Sequence, residues 1–530
     1  MKHLATWSTL LQLAALAILP SVASPSKRGV NDATSTCRQL AKQLGKTVVV
    51  TAGDDYDSSV LDIWNLFNTV YQPACVVLPR NASHVQAAMR AIYKDEVRYA
   101  VQAGSHSGVR GWNNVDRGVL IHFNYMKNVT YNEARNTVTL QPGIHWGEAI
   151  SALEPYGVTV MGGRLGDVGT GLLLGGGYSH LSPAHGFSCD AYVEVDVVLV
   201  NGRLVTATAT NEYSDLFRAL KGGANRFGIV TRYEVTAIET GLPGSKNWFG
   251  GLIAFSDDAA PALLEATAKY VREVNDPNAS ILVVLGYQVV EGQLIPTHSI
   301  TPVYRGSSLP TEVFGSFLSI PSIFQQLGPL DYSEVSSILG SGGDRGWGQL
   351  FGASSFTGED VERYTNAFAY WQNFTQSFKD ELSGIVLAFT PIPNSQIFAG
   401  RGRGGNAMDP PLGGYAALQF YTQHLQGVTT VSAQLERGRK LYLNQIPPSP
   451  GLPLYVNECD ASQNVFATYG QYEFLKNTYK KYDPKRFNAS FYYVYTTTIV
   501  EEVNIPTLKL TKKAGPASAA RNLVDDLHCT

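Results

Sequence analysis

What the chain lacks narrows its function first. Lysine and arginine together number 41 against 44 acidic residues, a net charge of −3, and no basic stripe stands out. Nucleic acid is therefore not an expected partner, and neither is an anionic membrane surface. Only 5 cysteines and 10 histidines occur. They form no CxxC pair, no HExxH and no other metal-ligating spacing, so no metal site is expected. The phosphate loop GxxxxGK[ST] is absent. Gly169-x-Gly171 lacks the third glycine of a dinucleotide fingerprint and the strand that would feed it. Beyond the N-terminus, no run is long and apolar enough to span a bilayer.

What is present fits a large exported protein. With 530 residues, 44% of them hydrophobic, the chain can build two or more domains with sizeable cores. Its 28 tyrosines and 22 phenylalanines suit a flat or apolar ligand, and they suit a large β-rich core equally well. The opening "MKHLATWSTLLQLAALAILPSVAS" has a positive start, an apolar run and a small-residue site at Ser21-Val22-Ala23. Residues 1–23 therefore read as a secretory signal. Lys27-Arg28 follows as a candidate dibasic processing site. Sequons at Asn81, Asn128, Asn278, Asn373 and Asn488 agree with export, each usable only if exposed. In an oxidising compartment, Cys37 and Cys75 are the candidate disulfide pair.

Hydrophobic periodicity places the elements. "CVVLP" and "RYAVQAG" read as strands around a helix whose Val85, Ala88, Met89 and Ile92 share one face, with Asn81 or Ser83 to cap it. "AYVEVDVVLVNGRLVTAT" reads as a hairpin turning at Asn201-Gly202. A first α+β domain ends near residue 240. A second region, 241–450, carries strands such as "ILVVLGYQVV" and "YAALQFYTQHL" and a long helix from "EDVERYTNAF". The loop "RGRGGNAMDPPLGG" and the proline cluster "IPPSPGLPL" are its least regular parts, and the second cluster marks a boundary.

Two glycine clusters carry the chemical interest. The first, "GSHSG", puts a single imidazole, His106, at the centre of a turn built for close backbone approach. The second is "GGRLGDVGTGLLLGGGYSHLSPAHGFSCD", about 60 residues later. Such segments expose backbone N–H groups to a phosphate, and tight turns between strands need glycine too.

"VQAGSHSG", "DVGTGLLLGGGYS", "LFRALKGGANRFGIVTRYEV" and "YVNECDASQ" with "KKYDP", in that order, resemble the secreted FAD-linked oxidases of the berberine-bridge-enzyme-like group. That group belongs to the vanillyl-alcohol-oxidase superfamily, and its fungal members look closest. The resemblance covers roughly residues 37–487. It implies an α+β fold: a two-part FAD-binding domain (37–240, returning at 451–487) with an inserted substrate domain (241–450) whose antiparallel sheet is covered by helices. After "YDPKRFN" the family normally ends within a short stretch, so 488–530 is either a genuine extension or a misread gene end, and no role is assigned to it.

The resemblance also implies site roles. His106 takes the position of the histidine that bonds the flavin's 8α carbon. Ala103, Gly104, Ser105, Ser107 and Gly108 then lie beside the pyrophosphate. Val168 aligns next to the oxygen-reactive flavin carbon, with Gly169, Thr170, Gly171 and Gly175 in the second loop. Gly228 and Ile229, in "NRFGI", pass near the adenine or the flavin. Tyr455 and Asn457 stand beside the isoalloxazine. Leu165 occupies the position where some members carry a second, cysteinyl link, so a single link is expected. For the base that takes the substrate's proton, Tyr455 and Asp409 are both candidates, and the plant members' glutamate has no match.

The resulting expectation is a secreted, monomeric flavoprotein oxidase with FAD bound covalently through His106. It would oxidise a small organic substrate by hydride transfer and reduce O2 to H2O2, as in tailoring of a fungal secondary metabolite. A carbohydrate oxidase is the alternative of the same class. A non-redox binder or cyclisation catalyst on the same scaffold is the alternative of another.

Overall fold

A small α/β layer starts the fold, and its sequence dictates the geometry locally. The structure, a computed structural model, describes residues 32–492. The signal segment, the dibasic pair and residues 493–530 lie outside the described residues. In helix Ala82–Asp95 the Asn81 side chain accepts hydrogen bonds from the N–H groups of Ser83 and His84. Val85, Ala88, Met89 and Ile92 are buried on its inner face, as their spacing of three and four requires. The helix leads into a four-stranded sheet ordered Val49–Val50, Cys75–Val77, Val119–His122, Tyr99–Gln102, the last three parallel. A disulfide joins Cys37, on helix Thr34–Leu44, to Cys75.

A five-stranded antiparallel sheet follows, ordered Val129–Asn132, Thr137–Leu140, Ile229–Thr236, Tyr192–Val198, Leu204–Thr208. Its last pair is the hairpin read from Asn201-Gly202, with Gly202 at φ +78°. The first glycine-rich segment follows Tyr99–Gln102, and the second precedes Tyr192–Val198.

The second lobe is one eight-stranded antiparallel sheet. Strands Ala279–Val290, Leu382–Ile392 and Tyr415–Gln426 lie side by side near its centre, and Trp347–Phe356 forms one edge. The two-residue period of a strand sorts their side chains. Ile281, Val283 and Leu285, with Ile385, Leu387, Phe389, Leu418 and Phe420, pack into the core under helices Ala260–Glu273, Val361–Phe378 and Ala433–Gln445. The alternate residues Leu282, Val284, Val386, Ala388, Thr390 and Gln419 face the other way, towards the first lobe. Val284 pairs with Ala388 and Ala388 with Gln419, so these three form a row across the sheet.

The edge strand is held by a side chain instead of another strand. Asn65 Nδ2 donates to the Gln349 carbonyl at 2.7 Å, and its Oδ1 accepts from the Gln349 N–H at 2.9 Å. This tie between the lobes also keeps the edge from pairing elsewhere.

The chain stays packed past residue 487, where the sequence suggested that an extension begins. Helix Phe487–Phe491 lies on the first lobe, and Tyr492 forms a parallel bridge with Tyr99. Asn488 accepts a hydrogen bond from the Tyr99 hydroxyl and donates to the Arg226 carbonyl at 2.7 Å. It is 6% exposed, so of the five sequons this one is spent on structure. Asn81, Asn128, Asn278 and Asn373 are exposed. Among the described residues no helix is long and apolar enough to cross a membrane.

Candidate active site

Both glycine loops, the return segment and the outward face of the large sheet converge on one cavity of about 490 Å³. Glycine faces glycine where the two loops meet, at Gly104 and Gly169. A Cβ on Gly104 would come within 2.6 Å of the Gly169 backbone, and backbone cannot swing aside as a side chain can. Ser105 turns the first loop at φ +60°, and Asn113 Nδ2 fixes that turn by donating to the Ser105 carbonyl at 2.6 Å. The result aims His106 at the cavity, with its ring stacked on Trp64 at 3.7 Å and 18°. Burial lowers the His106 pKa to about 4, so at neutral pH the imidazole is uncharged and keeps a nucleophilic lone pair.

Most residues expected at the cofactor are brought together here. Ala103, Gly104, Ser105, His106 and Ser107 line the cavity, as do Val168, Gly169, Gly171, Gly175 and Asn457. Gly108 stands one step behind: a Cβ there would meet the Phe351 ring at 2.4 Å, and it is Phe351 that faces the cavity. Thr170 turns away and donates to the Pro142 carbonyl at 2.7 Å. Gly228 and Ile229 do not line the cavity; Ile229 is paired with Val198 in the five-stranded sheet. Their neighbours Ala224 and Asn225 line it instead.

Do these residues fit a flavin nucleotide? Two observations say that they do. Trp112 Nε1 and Asn113 Oδ1 are buried without a hydrogen-bond partner, and both residues line the cavity. Such orphaned groups are costly unless a ligand satisfies them. The glycines supply the second observation: Gly171 lines the cavity, and a Cβ built on it would meet nothing within 4 Å. The backbone is thus open where a bulky planar ligand must approach it.

The two base candidates fare differently. Asp409 lies outside the cavity, where its carboxylate is held by Arg401 at 3.2 Å and by Gln471 Nε2 at 2.7 Å. That placement corrects its reading as a base. Tyr455 lines the cavity, stacks on Tyr178 at 4.0 Å and accepts from Asn457 Nδ2 at 2.8 Å. Burial, reinforced by the nearby Glu458, pushes its hydroxyl pKa far up. Tyr455 is therefore a hydrogen-bond donor at neutral pH.

Glu458 is the residue that sequence reasoning missed. It closes the same "YVNE" run and lines the cavity. Burial raises its carboxyl to about 7, against the opposing pull of Arg164. Arg164 also lines the cavity and donates to Thr390 Oγ1 at 3.1 Å. The cavity thus ends in a carboxyl poised to exchange a proton near neutrality and a guanidinium able to hold an oxyanion. The signal for Glu458 was its place one residue after Asn457. Trp64 gave none, because its stacking on His106 is a tertiary contact.

Comparison with known proteins agrees with this geometry. A family model described as an FAD binding domain matches residues 73–208. An uncharacterized FAD-linked oxidoreductase of Arthroderma benhamiae is 31% identical over 453 residues, which is 81% of this chain and 87% of that one. The FAD-dependent monooxygenase macF of Penicillium terrestre is 29% identical, with 86% and 88% covered. In fold, a carbohydrate oxidase from Microdochium nivale superposes with a TM-score of 0.70 at 21% identity, over 88% of this chain and all 100% of the other. A berberine bridge enzyme variant bound to (S)-reticuline gives 0.66 at 14% identity, over 88% and 99%. With homology running across both lobes, the chain belongs to the FAD-linked oxidoreductases.

Proposed function

We propose that this protein is a secreted oxidase that carries FAD covalently on His106 and removes a hydride from a small, mostly apolar organic substrate. Dioxygen takes the two electrons and becomes hydrogen peroxide. The observation that supports this reading best is the composition of this cavity. Its lining combines a neutral imidazole, an aliphatic wall of Leu282, Val284, Val386 and Ala388, and the charged pair Glu458 and Arg164.

Bound FAD supplies the hydride acceptor; everything else falls to the chain. The N–H groups of the two glycine loops would hold the pyrophosphate, and Trp112 and Asn113 would gain the partners they lack. The wall orients an apolar skeleton by shape and excludes water. Glu458 takes the substrate's hydroxyl proton as the hydride leaves carbon, and Arg164 steadies the oxygen while its charge develops. The Tyr455 hydroxyl donates to the same region.

Tailoring of a fungal secondary metabolite is the setting we favour, since a similar protein is the monooxygenase macF and the wall suits a conjugated apolar ligand. A carbohydrate oxidase is the second reading, favoured by the fold shared with the Microdochium nivale enzyme. Against it, Thr390 and Gln419 are the polar members of the wall. Export is supported by the N-terminal signal and by four exposed sequons.

The test is direct. Protein collected from the medium should be yellow, keep its colour in the acid-precipitated pellet, and bleach with peroxide release on a panel of aromatic and allylic alcohols. Colour lost to the supernatant would overturn the covalent link. Peroxide formed only with oligosaccharides would select the second reading.

A further inference from the structure

His106 is held from above by the other lobe. Residues 341–346, Ser-Gly-Gly-Asp-Arg-Gly, cross both glycine loops as a strap before the edge strand Trp347–Phe356 begins. The Asp167 N–H donates to the Ser341 carbonyl at 2.8 Å. His106 Nε2 lies 3.1 Å from the Gly342 carbonyl. A carbonyl only accepts, so this bond requires the hydrogen on Nε2 and leaves the lone pair on Nδ1. Trp64 fixes the ring plane from one side.

The strap itself is clipped down by one residue. Arg345 Nη1 lies 3.1 Å from Asp167 Oδ2, and its Nε lies 2.8 Å from Asp62 Oδ1. The same guanidinium donates to the Gly343 carbonyl. Gly342 sits at φ +70°, and a Cβ there would come within 2.9 Å of the Leu165 side chain. Leu165, at the position where relatives with two flavin links carry cysteine, here packs under the strap.

We infer that the strap 341–346, clipped by Arg345 between Asp62 and Asp167, sets the tautomer and orientation in which His106 bonds to FAD, so that Arg345 is a positioning residue for covalent attachment. The inference rests on the reading of His106 as the attachment point. In the attachment step Nδ1 gives its lone pair to the flavin's 8-methyl carbon, forming the C–N bond. One proton leaves that carbon and one leaves the imidazole. The two electrons released pass through the flavin to dioxygen, which takes both protons and becomes hydrogen peroxide. While the bond forms, the Nε2–H gains positive charge, and the Gly342 carbonyl faces it.

The experiment follows attachment itself. Full-length protein from flavin-limited cells is mixed with FAD in air, and acid-insoluble flavin is measured against time beside total bound FAD and melting temperature. Misplacing a reacting group by about 1 Å costs on the order of 100-fold in rate. In Arg345→Met, attachment should therefore slow at least about tenfold, with bound FAD and melting temperature near wild type. Arg345→Lys should recover part of the rate. Gly342→Ala should slow attachment as well. His106→Ala should attach nothing. Wild type without acid-insoluble flavin would overturn the reading of His106, whereas wild-type attachment with an unslowed Arg345→Met would overturn the strap inference alone. If Arg345→Met does not accumulate, Asp62→Asn carries the test. Its carboxylate is 67% exposed, and an unchanged rate in that variant would equally overturn the inference.

Discussion

Tyr455 and Glu458 sit three positions apart in one cavity, and burial assigns them opposite proton roles. Both pKa values rise, but the carboxyl stops at about 7 while the phenol, starting near 10, moves out of the working range. The rate of flavin reduction should therefore rise with pH along a limb centred near 7. Glu458→Gln should remove that limb and lower the rate by roughly 10²–10⁴, with little change in substrate affinity. A limb that survives in the glutamine variant would assign the proton to another group. Tyr455→Phe keeps the stacking on Tyr178 and loses only a donor, so we expect a drop of about tenfold or less and an unshifted limb. Stability follows the same carboxyl. Because its pKa is higher in the folded than in the unfolded chain, the native state binds the extra proton between about pH 4.3 and 7. Melting temperatures of the wild type, compared with Glu458→Gln, should fall as pH rises through that window and then run parallel. The residues flanking Glu458 explain why the sequence hid it. "NECDAS" reads as a polar turn, and only the tertiary fold shows its carboxylate turned inward, while Asp409 looked freer in its glycine- and proline-rich loop.

At the scale of elements, the periodic ones were legible and the loops were legible only in part. Helix Ala82–Asp95 and the hairpin at Asn201-Gly202 are local structures, so their capping and turn residues suffice to call for them. The strand Ala279–Val290 was legible as a strand, yet not which of its faces serves the cavity, because Leu282 and Val284 are as apolar as Ile281 and Val283. The glycine loops announced a ligand, but the pairing of Gly104 with Gly169 joins positions 65 residues apart by a contact no local rule anticipates. That contact yields a sharp expectation. Gly104→Ala introduces a methyl at 2.6 Å from backbone that cannot yield locally, so the loops must separate. We expect a stability loss of about 1–3 kcal/mol and a protein that emerges from desalting with most of its FAD gone, read by visible absorbance. FAD retained at wild-type stoichiometry would mean that the two loops close in some other way.

Across the whole molecule, two ties of very different sequence reach hold the first lobe. The disulfide Cys37–Cys75 closes a separation of 38 residues. Chain-entropy reasoning gives such a loop about 4 kcal/mol, so the double variant Cys37→Ser/Cys75→Ser should show that order of loss in denaturant titration. The second tie is the return of Asn488 and Tyr492 onto Tyr99, whose strand is an edge of its sheet. The two partners in the first of those bonds are 389 residues apart. At about 5–20 residues per second, the ribosome delivers the second partner roughly 20–80 s after the first. Throughout that interval the Cys37–Cys75 disulfide is the one covalent brace among the described residues, and the Tyr99–Gln102 edge lacks its Tyr492 partner. A chain halted at residue 487 should consequently fail to retain FAD however long it is incubated. Retention of the cofactor then waits on residues 488–492, however early the glycine loops themselves emerge.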